Sequence, residues 1–248
     1  MSKIILITGA SRGIGREAAR LAGARGWRVG VNYTADETAA NECVALVEQA
    51  GGEAIAIRGD VSVEADVLAM FDTIQHKFGG LDGLVNNAGI TGQSLQLADM
   101  PIDRMRRMFE VNILGAFLCA REAARRMSTE RGGRGGVIVN VSSVASRLGS
   151  PNEYIDYAAS KGAIDTMTLG LSKELGPQGV RVNAVRPGLT LTEIHASGGD
   201  PDRGLRLGVT TPIGRAGEPQ EIAAGIIWLL SDEASYASGA ILDISGGR

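Results

Sequence analysis

Tyr157 and Lys161 stand four residues apart in Tyr157-Ala158-Ala159-Ser160-Lys161, with Ser142 and Ser143 about one loop upstream. On a helix, positions i and i+4 share a face, so an ammonium would sit beside a phenol. A free tyrosine titrates near pH ~10, and a nearby positive charge favours the phenolate. The pair is therefore expected to pull the phenol downward, toward a range where it gives or takes a proton at a carbonyl or alcohol. By itself the pair is equally a core edge with a snorkelling lysine, because Tyr157, Lys161, Ile164, Thr168, Leu171 and Leu175 form one helical stripe. The flanking elements decide between these readings.

Lys3–Ile7 is a short, β-branched apolar run that reads as a buried parallel strand. It leads directly into Thr8-Gly9-Ala10-Ser11-Arg12-Gly13-Ile14-Gly15, and an Ala- and Arg-rich helical stretch follows from Arg16 to about Arg25. Strand, glycine turn and helix in that order make a phosphate cradle. Glycines let the backbone approach a pyrophosphate, and the free N–H groups of the helix start bind the anion. Further strands are expected at Arg28–Tyr33, Ala54–Arg58, Leu81–Val85, Gly136–Val141, Val180–Val185 and Ala240–Ile244. Helices are expected over Glu37–Ala50, Val63–Phe78, Ile102–Met127, Tyr157–Leu175 and Pro219–Leu230, the fourth ending at Gly176-Pro177. Repeated β-α units with short connections predict one α/β domain over residues 1–248, a doubly wound seven-stranded parallel sheet with helices on both faces. The glycine-rich segment at about 190–212 interrupts this rhythm and reads as a substrate loop.

These segments resemble the classical, single-domain short-chain dehydrogenase/reductase family, over essentially the whole chain. Thr8 through Gly15 matches the family's cofactor loop, so Gly9, Ser11, Arg12, Gly13, Ile14 and Gly15 are its expected contacts. Asp60-Val61 matches the adenine contact, and Asn86-Asn87-Ala88-Gly89 the next signature, with Asn87, Ala88 and Gly89 as cofactor contacts. Asn112, Ser143, Tyr157 and Lys161 match the catalytic positions; Ser143 is preferred over Ser142 because a small apolar residue, Val144, follows it. Pro187-Gly188, with Thr190 and Thr192 after it, matches the segment that contacts the nicotinamide carboxamide or phosphates. The resemblance implies proton exchange at Tyr157 and orientation of the reacting oxygen by Ser143. Lys161 would lower the phenol's pKa and hold the nicotinamide ribose, while Asn112 sustains a proton relay. Tyr157 and Lys161 thus count as cofactor contacts too. Asn112 could equally be a structural amide on its apolar helix face.

An NAD site places a carboxylate at the end of the second strand. Here that end reads Val31-Asn32-Tyr33-Thr34, which leaves Asn32, Tyr33 and Thr34 as contacts without a repelling charge. Arg12 can reach the same region and pair with a 2′-phosphate, so NADP(H) is the preferred cofactor and NAD(H) the second choice. Asp36 reads as a helix-start carboxylate.

With 44% hydrophobic residues the chain can bury a substantial core, and a net charge of −3 offers no footprint for nucleic acid. Cys43 and Cys119 form no zinc spacing, and no His/Cys/carboxylate cluster argues for a metal. No apolar run reaches membrane-spanning length and no leader is read ahead of Lys3, so a cytoplasmic enzyme without a membrane partner is expected. The expected reaction interconverts a secondary alcohol and a ketone on a small molecule. A 3-oxoacyl thioester, free or on a carrier protein gripped by Lys173, Arg131 or Arg134, is one substrate class, and a sugar or polyol is another. A nucleotide-binding regulator would need only the glycine loop, and the full set Asn112, Ser143, Tyr157 and Lys161 argues against it. By resemblance, the helices carrying Asn112 and Tyr157, with Ile113, Phe117 and Met167, build a homotetramer.

Overall fold

A computed structural model describes residues 2–248. Seven parallel strands form one sheet in the order β3-β2-β1-β4-β5-β6-β7. They are β1 (Ile4–Ile7), β2 (Arg28–Tyr33), β3 (Glu53–Arg58), β4 (Gly83–Asn86), β5 (Gly136–Val141), β6 (Val180–Pro187) and β7 (Ile241–Ile244). The order reverses between β1 and β4, and the crevice above such a switch point is where open α/β sheets bind ligands. One face carries α1 (Gly13–Gly23), α2 (Glu37–Gln49) and α10 (Pro219–Leu230), packed on Ile5, Ile7, Val29, Val31 and Val139. The other carries α3 (Glu64–Phe78), α5 (Ala116–Met127) and α7 (Ile155–Leu175), packed on Ile4, Leu6, Leu84, Ile138 and Val182. Alternate residues of each strand serve the two faces, so the strands read as continuous apolar runs. The predicted doubly wound parallel sheet is the one observed.

Boundaries shift where side chains replace ladder bonds. β4 begins at Gly83 rather than Leu81, because the Asp82 carboxylate accepts the Ile4 N–H at 2.8 Å. The expected single helix over Ile102–Met127 is two, α4 (Ile102–Phe109) and α5, joined by a π-helical turn at Glu110–Gly115. The segment 190–212 is less irregular than expected. It holds two short helices, α8 (Ile194–Ser197) and α9 (Arg203–Gly208), with Asp200 between them bonding back to His195 and paired with Arg206.

Asn32 has a structural task. Its side-chain oxygen accepts the Gly9 N–H at 3.1 Å, while its amide nitrogen donates to the Ile57 and Gly59 carbonyls at 3.2 and 3.0 Å. The residue is buried and its amide occupied, which corrects the expectation that this side chain meets the cofactor. It stitches the glycine loop to the ends of β2 and β3.

Candidate active site

The loop between β1 and α1 is held from below by Thr8. The Thr8 hydroxyl accepts the N–H groups of Asn87 and Ala88 at 2.9 and 3.0 Å. The Asn87 amide donates to the carbonyls of Thr8 and Gly9 at 2.8 and 3.0 Å. Asn87 and the Ala88 N–H therefore fix the loop's shape, a role that the sequence expectation of direct cofactor contact missed. Gly9 and Gly13 lie at φ +61° and +55°, the left-handed region that suits glycine. A Cβ at Gly15 would fall 2.6 Å from the Gly9 carbonyl oxygen. No side chain caps α1 and its first turn holds no acidic residue, so its orphan N–H groups are available to an anion, although the Glu193 carboxylate stands 3.5 Å from where a Gly13 Cβ would be. This cradle fits the pyrophosphate of a dinucleotide. Ser11 and Arg12 stand on its rim, Ile14 inside the first turn, and Thr192 lies 3.4 Å from where a Gly13 Cβ would be.

Beyond the cradle, Asp36 accepts the Ala39 N–H at 2.9 Å and caps α2, as expected of a helix-start carboxylate. Tyr33 is buried and Thr34 exposed at the end of β2. Arg58, which the sequence reading passed over, pairs in register with Tyr33 and is exposed. Among the described residues neither Arg12 nor Arg58 is in an ion pair. Past the end of β3, both Asp60 carboxylate oxygens are engaged: Ser62 donates at 2.7 and 2.9 Å and Arg107 at 2.8 Å. Burial works to raise the Asp60 pKa, but these bonds outweigh it and hold it below the usual carboxylate value. Val61 is buried against Gly115, where a Cβ would come within 2.7 Å of it.

The four expected catalytic residues converge at the carboxyl ends of β4 and β5. Ser143 is the serine beside the Tyr157 phenol and favours its phenolate, while Ser142 is buried with its hydroxyl on the Lys161 carbonyl at 3.1 Å. Lys161 Nζ donates to the Val141 carbonyl at 2.8 Å and lies 5.6 Å from the Tyr157 ring centre. Asn112 sits in the π-helical turn and exchanges two bonds with Ile90, accepting its N–H at 2.8 Å and donating to its carbonyl at 2.9 Å. A Cβ at Gly89 would fall 3.4 Å from Asn112 Oδ1 and 3.5 Å from Lys161 Nζ, so the absent side chain opens the space between them. The expected downward pull of Lys161 on the phenol is overturned. Burial raises Tyr157 above its ordinary value, with only the Ser143 hydrogen bond opposing it. Burial also pushes Lys161 down to about 8, with the Asp165 carboxylate working against the fall.

Gly188 matches its motif for a packing reason, since a Cβ there would lie 2.7 Å from Ser245 Cα. Pro187 accepts the Val144 N–H and so braces the Ser143 loop. Thr190 turns its hydroxyl to the Gly188 carbonyl, and its own carbonyl meets His195 Nε2 at 2.9 Å.

Four residues at the mouth were not legible as site residues. Arg104 makes a bidentate pair with Asp156, at 2.9 and 3.1 Å, and bonds the Gln93 carbonyl. Asp156 also accepts the Tyr157 N–H at 2.9 Å, so the pair fixes the residue next to the phenol. Arg203 of α9 makes a bidentate pair with Glu153, at 2.9 and 2.7 Å, and its guanidinium lies 5.1 Å from the Tyr154 ring centre. Only the aspartate at a helix start gave a local signal. The basic residues expected at the mouth are elsewhere. Lys173 lies 16 residues past Tyr157 on α7, roughly 24 Å along the helix axis at 1.5 Å per residue. Arg134 bonds Asp82 at the amino end of the sheet.

Residues 9–248 match the model of a family described as Enoyl-(Acyl carrier protein) reductase. The chain is 52% identical to an uncharacterized oxidoreductase, YgfF, of Escherichia coli, over 99% of each chain. It is 39% identical to 3beta-hydroxysteroid dehydrogenase 1 of Eggerthella lenta, over 99% of this chain and 93% of that one. Among solved structures it superposes with a TM-score of 0.91 on 3-ketoacyl-(acyl-carrier-protein) reductase from Brucella melitensis complexed with NADH. That match is 31% identical and covers 99% and 98% of the two chains.

The Lys161 shift has a testable consequence. Its folded value of about 8 lies below the free value of 10.5, so the unfolded state binds the extra proton between them. Below pH 8 the fold must bury an ammonium, a penalty on the order of 3 kcal/mol at 1.36 kcal/mol per pH unit, which fades as pH rises through 8 toward 10.5. Lys161→Met should therefore be more stable than the parent at pH 7 in urea unfolding. That advantage should shrink by pH 10; a gap that is constant with pH would contradict the assignment.

Proposed function

The chain belongs to the short-chain dehydrogenase/reductase family and is an oxidoreductase acting on CH–OH or carbonyl groups, and we propose that it interconverts a secondary alcohol and a ketone with NADP(H) as preferred cofactor. The observation that carries this reading is the Ser143–Tyr157 hydroxyl pair set beside the buried Lys161, next to the glycine cradle. When bound, the nicotinamide supplies or accepts the hydride.

The protein's residues manage the oxygen and its proton. Ser143 hydrogen-bonds the carbonyl oxygen and orients it. Tyr157 donates its phenolic proton to that oxygen in reduction and removes it in oxidation. Burial keeps the phenol protonated at neutral pH, which suits the donor role. The Lys161 ammonium stabilises the phenolate left behind. Asn112 stands across Gly89 from Lys161 and holds the Ile90 backbone, so it shapes the path by which a proton returns. Gly9, Ser11, Gly13, Ile14 and Gly15 would hold the pyrophosphate, Asp60 and Val61 would border the adenine, and Thr190 and Thr192 the nicotinamide end.

The substrate is a small ketone or alcohol. Free 3-oxoacyl thioesters are the first class to test, with sugars and polyols second. Within one chain Lys173, Arg131 and Arg134 do not border the mouth, and this favours small substrates over carrier-bound ones.

Tyr157→Phe removes only the hydroxyl. Turnover on an active ketone should fall by about 10² or more while cofactor fluorescence still reports binding. Turnover within a few-fold of the parent would refute the proton-donor role.

Cofactor choice is read from kcat/KM with NADPH and NADH. The parent should prefer NADPH, and Arg12→Ala should largely lose that preference, because Asp36 is committed to its own helix and, among the described residues, Arg12 is in no ion pair. A parent that favours NADH would overturn this.

Assembly as a homotetramer is supported by two apolar surfaces. Phe109, Leu114, Phe117 and Leu169 are exposed along α4, the π-helical turn, α5 and α7, and Trp228 and Tyr236 are exposed at α10 and beyond it. Light scattering should give the mass of four chains at micromolar concentration; a monomer would rule it out.

A further inference from the structure

Asp165 lies four residues past Lys161 on α7, and both are buried on one face of the helix. One oxygen of this carboxylate, Oδ2, accepts both Nε and Nη2 of Arg186 from β6, at 3.1 and 3.0 Å. The other, Oδ1, is buried with no hydrogen-bond partner. Arg186 continues to Asp243 of β7 at 3.3 Å, and Asp243 to Arg147 of α6 (Ala145–Leu148), four residues past Ser143. Charges of alternating sign thus run from Lys161 through Asp165, Arg186 and Asp243 to Arg147, and return to the serine loop.

The outer members, Asp243 and Arg147, are partly exposed, but burying the inner charges Lys161, Asp165 and Arg186 is expensive, and hydrophobic residues of similar size would hold α7 to β6 as firmly. Its composition makes sense if the charge itself is used. The titratable groups facing Lys161 are Tyr157 and Asp165 from its own helix, with Arg186 behind Asp165. β5 and its following loop offer only the Val141 carbonyl and two neutral serines, the π-helical turn the neutral Asn112, and the Arg104–Asp156 pair sits at the helix start. Of the groups facing Lys161, Asp165 is the carboxylate, one turn along the same buried helix face from the ammonium.

We propose that Asp165, oriented by Arg186, is a positioning residue whose carboxylate keeps the Lys161 ammonium charged on the alkaline side of the working range. The proposal rests on the reading that Lys161 serves the reaction. Burial drives Lys161 toward the neutral amine, and Asp165 supplies the opposing charge. Arg186 sets the strength of that field by neutralising part of it. The two residues should therefore act on Lys161 with opposite signs, which a merely structural clamp would not do.

The test measures kcat/KM from pH 6 to 10 for the parent, Asp165→Asn, Asp165→Glu and Arg186→Gln, with Lys161→Met as control. Asp165→Asn should move the alkaline limb down by about one pH unit and lose most activity above pH 8, and Asp165→Glu should restore the limb. Arg186→Gln should move the limb up, because the carboxylate then faces Lys161 uncompensated. Limbs that stay in place, or that move the same way in both variants, would overturn the proposal. Should Asp165→Asn fail to fold, the direction of the Arg186→Gln shift decides. In parallel, an NMR titration of ¹⁵N-lysine side chains, with the Lys161 signal assigned by its loss in Lys161→Met, reads the ammonium directly. An active Lys161→Met would refute the catalytic reading alone, and an unshifted Lys161 titration in Arg186→Gln would refute the Asp165 proposal alone.

Discussion

A lysine ammonium held out of water is the constraint around which this site is built. Removing such a charge from solvent costs several kcal/mol after relaxation unless partners replace the water. Each neighbour of Lys161 answers part of that demand. The Val141 carbonyl takes its hydrogen bond, Ser142 ties down the helix backbone at the same residue, and Asp165 supplies the counter-charge. Gly89 leaves the space beside the ammonium open because any Cβ there would fill it. The end of β5, the start of α7, the loop after β4 and the π-helical turn are thus brought together by one group.

The π-helical turn shows how far the fold bends to this need. A regular helix over Ile102–Met127 would satisfy its own backbone, yet the structure inserts a wider turn at Glu110–Gly115. π-bulges are often found at functional sites. This one turns Asn112 inward, where its amide pairs with both backbone groups of Ile90. The asparagine has the structural task, and it also stands across Gly89 from Lys161, so the structural reading open in the sequence is compatible with the other.

Much of the fold was legible because its signals are local. Strand runs such as Ile4–Ile7, the glycine loop, and the stop at Gly176-Pro177 each declare themselves within a few residues. The coming together of Ser143, Tyr157 and Lys161 was legible because a helix and one loop fix their spacing. What was missed depends on long-range pairing. Asn32 reads as a ribose contact until β3 is placed beside β2, which brings the Ile57 and Gly59 carbonyls to its amide. The pairs Arg104–Asp156 and Arg203–Glu153 join segments about fifty residues apart, and no periodicity marks them. The direction of the Tyr157 shift was also missed, because sequence spacing registers a neighbouring charge but not the burial that outweighs it here.

The two ends of the site are held by different kinds of interaction. The cofactor end is mostly backbone: positive-φ glycines, helix N–H groups, and the Thr8, Asn32 and Asn87 side chains bonded to main-chain atoms. Few side chains there can be exchanged without breaking the cradle. The segment around Tyr157 is held side chain on side chain, with Glu153 to Arg203, Ser94 to Tyr154, and Asp156 to Arg104. Glu153 is one-third exposed, so its pair with Arg203 is held more weakly than the Arg104–Asp156 pair, whose carboxylate is almost fully buried. The two pairs share no residue, so loss of the first would leave the phenol's support intact. A mouth of this construction can change its residues and its opening while the tyrosine, serine and lysine beneath it stay in place.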